Sequence, residues 1–85
     1  VVTVGGRIEL RPEAAFALLG LDKGARRRLQ RAIDELATQP RPVGAVDLVG
    51  LPGAVRLPVG DHQLVYTIRG NDILVLLIDA SVRRA

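Results

Sequence analysis

The stretch Val55-Arg56-Leu57-Pro58-Val59-Gly60-Asp61-His62-Gln63-Leu64-Val65-Tyr66-Thr67-Ile68-Arg69 reads as two alternating strands joined by a tight turn at Gly60-Asp61. If Val59 faces His62, then Leu57 faces Leu64 and Val55 faces Tyr66. Cross-strand partners share a sheet face, and side chains alternate with a period of two. One face therefore carries Val55, Leu57, Val59, His62, Leu64, Tyr66 and Ile68. The other carries Ala54, Arg56, Pro58, Gln63, Val65, Thr67 and Arg69. Lengthening the turn from two residues to four leaves this partition intact. The first face is built to bury; the second, with two arginines, an amide and a hydroxyl, is built to meet something anionic or polar.

Upstream of this hairpin, Val2, Val4, Ile8 and Leu10 share a parity that Gly5-Gly6 interrupts. This predicts a first strand with a bulge or bend at the glycines. Pro12 suits the first turn of a helix, where its missing N–H costs nothing, and Gly20 suits its end. Asp22 is placed to cap a second helix. Ala25, Leu29, Ala32, Ile33 and Leu36 then form one helical stripe, opposite Arg26, Arg27, Arg28, Arg31, Asp34 and Glu35. Pro40 and Pro42 stop that helix. Residues 46–51 read as a short strand. Gly70-Asn71-Asp72 is a second turn signal. The unbroken apolar run over residues 73–78 predicts a central strand covered on both faces.

The expected architecture is α+β: an N-terminal strand, two helices, then a three- to four-stranded antiparallel sheet with the helices packed on one face. With 85 residues, residues 1–85 are expected to form one domain. A chain this short has little interior. It has no cysteine to staple it, so it depends on dense aliphatic packing, which its 48% hydrophobic content supports, or on a partner that completes the core. No cofactor is expected, and no metal, because neither a ligand cluster nor a phosphate loop is present; Gly5-Gly6 lacks the lysine and the spacing of one. There is no signal segment and no apolar run of membrane length, so no membrane partner is expected and a cytoplasmic location is. A net charge of +3 and a pI near 10.6 suit an acidic partner: nucleic acid, a ribosome or an acidic protein segment.

The succession of elements resembles the RelE/ParE superfamily of toxins from bacterial type II toxin–antitoxin modules. The residues carrying the likeness are Leu36 to Pro40, a helix ending in Leu-x-x-x-Pro, then Leu48-x-Gly50-Leu51. Next come Val55-Arg56-Leu57-x-Val59-Gly60-Asp61-x-x-Leu64-Val65-Tyr66 and, last, Asp79-Ala80-Ser81-Val82-Arg83. For the RelE branch the resemblance implies a ribosome-dependent mRNA endonuclease that inhibits translation. There a 2′-hydroxyl attacks the neighbouring phosphate while basic side chains surround the developing charge. Arg56 matches a sheet-face cation of the family, and Arg83 the arginine after the last strand. Gln63 stands where the family has an arginine, and an amide brings no charge. The family's C-terminal aromatic or histidine has no counterpart before Ala85. Tyr66 lies on the apolar face and cannot readily replace it. These departures open the way to a weakened or inactive nuclease. The ParE branch implies a DNA gyrase inhibitor instead. A third reading is a toxin-derived domain that only binds. In each toxin reading the implied partner is a cognate antitoxin, joined by ribosome and mRNA or by gyrase.

Several residues admit two readings. His62 is a general acid or base, or a turn residue on the face opposite Arg56. Arg56 holds phosphate, or is a solvated strand arginine. Arg26, Arg27, Arg28 and Arg31, with Arg69 and Arg84, bind RNA phosphates, or the helical cluster is a solvated face with Arg31 and Glu35 spaced to pair. Asp79 orients Arg83, or marks the strand's exit to water.

Overall fold

The computed structural model describes residues 2–4 and 6–80. Six strands and two helices follow one another as β1 (Val2–Val4), β2 (Gly6–Leu10), α1 (Pro12–Leu19), α2 (Lys23–Glu35), β3 (Val46–Asp47), β4 (Ala54–Val59), β5 (His62–Arg69) and β6 (Asp72–Ala80). They build one mixed sheet in the order β1-β2-β6-β5-β4-β3. The β4–β5 register is the one the alternation requires, with Val59 opposite His62, Leu57 opposite Leu64 and Val55 opposite Tyr66.

Three features differ from the sequence expectation. The N-terminal strand is two strands: β1 and β2 pair antiparallel, with Val4 opposite Gly6, so the chain reverses where a bulge or bend was expected. Gly5 itself lies outside the described residues. Second, the sheet is not purely antiparallel, because β2 runs parallel to β6 and the two helices form the crossover between them. Third, β3 is only two residues long rather than spanning residues 46–51. Beyond Asp47 the chain turns back: Leu48 N–H donates to the Ala54 carbonyl and Ala54 N–H to the Leu51 carbonyl, each at 3.0 Å. That turn also explains Ala54. It keeps the parity of Arg56 in the register but is only 1% exposed, where an open position was expected.

Both helices cover one face. Ala14 and Leu18 from α1, Leu29 and Ile33 from α2, and Leu36 just past its end interlock with Ile8, Val55, Leu57, Leu64, Tyr66, Ile73, Val75 and Ile78. The predicted α2 stripe is therefore the buried one. α1 begins with Pro12 at its first turn, and the Arg11 N–H is fastened to the Val75 carbonyl at 2.9 Å, tying the helix start to β6. Asp22 occupies the cap position of α2 but makes no side-chain capping bond. On the outer side of α2 the observed contact is Gln30 Nε2 donating to Asp34 Oδ1 at 3.1 Å. Among the described residues the other face of the sheet carries no helix.

The β4–β5 turn depends on Gly60, whose φ is +59°. A methyl added there would also sit 3.2 Å from Arg28 Nε. Gly60→Ala is therefore expected to cost about 1–2 kcal/mol from the left-handed conformation alone. Urea unfolding of the two proteins measures it.

Candidate functional site: the open sheet face

The face opposite the helices is built from in-register rows. Val46, Arg56, Val65 and Leu77 form one row across β3, β4, β5 and β6. Pro58, Gln63 and Asp79 form the next. Gln63 is half-buried and Arg56 exposed, as the alternation predicts. Its cross-strand partners, Val46 and Val65, are apolar, and Val46 and, further along the row, Leu77 are 48% and 42% exposed. The open face is thus amphipathic rather than uniformly polar. An arginine over aliphatic side chains keeps its planar fork clear of competing protein acceptors and available to a phosphate or carboxylate.

The expected covering of β6 on both faces is only half realised. Ile73, Val75 and Ile78 point into the core, while Leu74 and Leu76 are half-buried and Leu77 is exposed on the open side. The reason is an irregularity. Val65 pairs with Leu77 but Tyr66 pairs with Val75, so Leu76 is an extra residue in β6. This bulge reverses the parity of everything after it. Asp79, which strict alternation from Ile73 and Val75 would turn towards the helices, instead joins Gln63 on the open face. An unbroken apolar run carries no alternation, so nothing in the sequence signals the slip.

The other candidates are dispersed. His62 pairs with Val59 and Ala80, on the parity opposite Arg56, at the tip of the hairpin. Arg26, Arg27, Arg28 and Arg31 lie on α2, in the layer behind the sheet from Arg56. Arg27, Arg28 and Arg31 are exposed and Arg26 half-buried. Arg28 also packs against the Gly60 turn, so it has a structural contact as well as a charge. Arg69 is on the open face but two rows from Arg56, opposite Asp72, which in turn faces Arg7. These three charges border a cleft of about 460 Å³ floored by Leu74 and Leu76 and walled by Leu51. Arg83 and Arg84 lie outside the described residues. Among the described residues no cluster of His, Asp and Glu is arranged to hold a metal, and no helix is long and apolar enough to cross a membrane.

Tyr66 is structural in its geometry. It is 0% exposed, and its hydroxyl donates to the Pro40 carbonyl at 2.6 Å. An Arg41–Asp47 ion pair lies beside it. Burial raises the phenol above its usual value of 10.0; Arg41 opposes the shift and Asp47 adds to it. The bond clamps the segment after α2 to the sheet and so steadies β3 next to Arg56.

The family model described as the ParE toxin of type II toxin–antitoxin system, parDE, matches residues 8–83. No curated protein matches the sequence. Among solved structures, a chain of the archaeal RelE–RelB complex from Pyrococcus horikoshii OT3 superposes with a TM-score of 0.84 at 23% identity, covering 95% of this chain and 100% of that one. The isolated E. coli RelE toxin gives 0.80 at 18% identity, covering 93% and 87%. A chain of the chromosomal ParDE system from P. aeruginosa gives 0.65 at 19% identity, covering 91% and 97%. With the family model spanning nearly every described element, the chain belongs to the ParE toxin family, and so to the type II toxin–antitoxin toxins of the RelE/ParE superfamily.

Proposed function

We propose that this toxin is a ribosome-dependent mRNA endonuclease of the RelE kind, weakened by Gln63, acting in the cytoplasm and held in check by a cognate antitoxin. The observation that carries the reading is the sheet face that no helix covers among the described residues, with Arg56 exposed on β4 and the Gln63 amide one strand over. Arg56 supplies the phosphate-binding cation, and Gln63 supplies a neutral donor where the wider family has a second cation. Arg83 is assigned the remaining cation of the site, and Arg84, Arg69 and the α2 arginines contacts to RNA phosphates outside the cut. The exposed Val46 beside Arg56 and Leu77 further along the same row give an antitoxin segment an apolar seat that hides the cation. The RelE–RelB complexes among the structural neighbours support that partner.

A second reading, inhibition of DNA gyrase without RNA cleavage, is favoured by one observation. Asp79 shares its row with Gln63, which lowers the positive charge of the face. Induction in cells separates the two. Cleavage within translated messages supports the nuclease; intact messages with damaged or abnormally supercoiled DNA support the gyrase reading. Gln63→Arg is expected to raise message cleavage by roughly 10-fold or more, because it restores a charge where the transition state develops one. Unchanged cleavage by that variant on purified ribosomes counts against the proposed role of this face.

A further inference from the structure

The bulge at Leu76 is the one place where β6 breaks its alternation, and its consequence is local. It turns Ile78 into the core and sends Leu77 and Asp79 outward. Bulges next to a site commonly serve to re-aim a side chain. Here the re-aimed side chain is a carboxylate, directly opposite Gln63. Standard sheet spacings put the α-carbons of Asp79 and Arg56 about 12 Å apart, two strands across and one row along. An arginine side chain is long enough to lean across part of that gap. The two groups therefore bracket a space floored by Val65 and Leu77, with the Gln63 amide at its edge. One carboxylate oxygen of Asp79 accepts the Ala80 N–H at 2.9 Å, which orients the group. Among the described residues the other oxygen makes no hydrogen bond.

We infer that Asp79 is the general base of the cleavage reaction, aimed at the 2′-hydroxyl by the Leu76 bulge; the inference rests on the nuclease reading above. With the phosphate held by Arg56 and Gln63, Asp79 takes the proton of the 2′-hydroxyl. The 2′-oxygen forms a bond to phosphorus and the bond from phosphorus to the 5′-oxygen breaks. The products are a 2′,3′-cyclic phosphate and a 5′-hydroxyl. The leaving 5′-oxygen takes its proton from a solvent water, and Asp79 returns its own to solvent, so the step closes without a further reactant. A carboxylate in this position repels phosphate, so it weakens RNA binding while assisting the chemistry. Those two effects have opposite signs in a variant.

The test is cleavage of mRNA on purified ribosomes by the wild type, Asp79→Asn and Asp79→Glu, with kcat and KM measured separately. Asp79 is exposed, so unfolding midpoints of all three are expected to coincide, and this is checked. A general base predicts that Asp79→Asn lowers kcat by about 10²-fold or more with KM unchanged or lower, and that Asp79→Glu retains more activity than Asp79→Asn. An Asp79→Asn protein that cleaves as well as the wild type, or better, overturns the assignment and leaves the nuclease reading standing. A wild type that cleaves nothing on ribosomes overturns both.

Discussion

Tyr66→Ala is expected to remove about 3–5 kcal/mol of stability, the usual cost of deleting a fully buried aromatic ring. At roughly 0.05–0.15 kcal/mol per residue, a domain this small has little more than that in reserve. The variant should therefore populate the unfolded state substantially at 37 °C, seen as a lost or sharply lowered thermal transition. Two things go at once: the ring at the centre of the β5 core face, and the hydroxyl that donates to Pro40. Tyr66→Phe separates them. It keeps the ring and loses the bond, for an expected cost of about 1 kcal/mol. It also changes the pH profile. The phenol's affinity for its proton is raised on folding, so its share of stability is full below the unfolded value of 10.0 and is lost as pH rises through the higher folded value. The wild type should weaken above about pH 10 by this route, and the Phe variant should lack that component.

Arg56→Ala is expected to lower toxin activity by about 10²–10³-fold, the usual effect of removing one charge-stabilising donor from a transition state. The residue is exposed and its removal leaves the core intact, so stability should change by less than about 0.5 kcal/mol. Growth arrest on induction, with soluble protein levels compared side by side, reads the effect. A fully toxic Arg56→Ala protein would remove the open face from the working surface.

The hairpin around Gly60 was legible to the residue because a two-residue turn and strict alternation leave one register in which apolar faces apolar. The α2 stripe was legible for the equivalent helical reason. The parallel pairing of β2 with β6 was not, since its partners are more than sixty residues apart and no local pattern records it. The Leu76 bulge was hidden because residues 73–78 are apolar at both parities, and with it went the outward aim of Asp79. The alternation placed Arg56 and Gln63 on a face built to meet something anionic or polar, and the family likeness narrowed that to a phosphate site. The basic run on α2 was read with Arg69 and Arg84 as a candidate for RNA phosphates, although the fold places α2 behind the sheet from Arg56.

The direct test is to incubate the purified toxin with ribosomes carrying a defined message and map the new 5′ ends. The nuclease account predicts cuts confined to the ribosome-bound codon, ending in 2′,3′-cyclic phosphate, and slowed by about 10²-fold or more in Arg56→Ala. Intact messages with wild-type toxin, or cuts that Arg56→Ala makes at the wild-type rate, would contradict it.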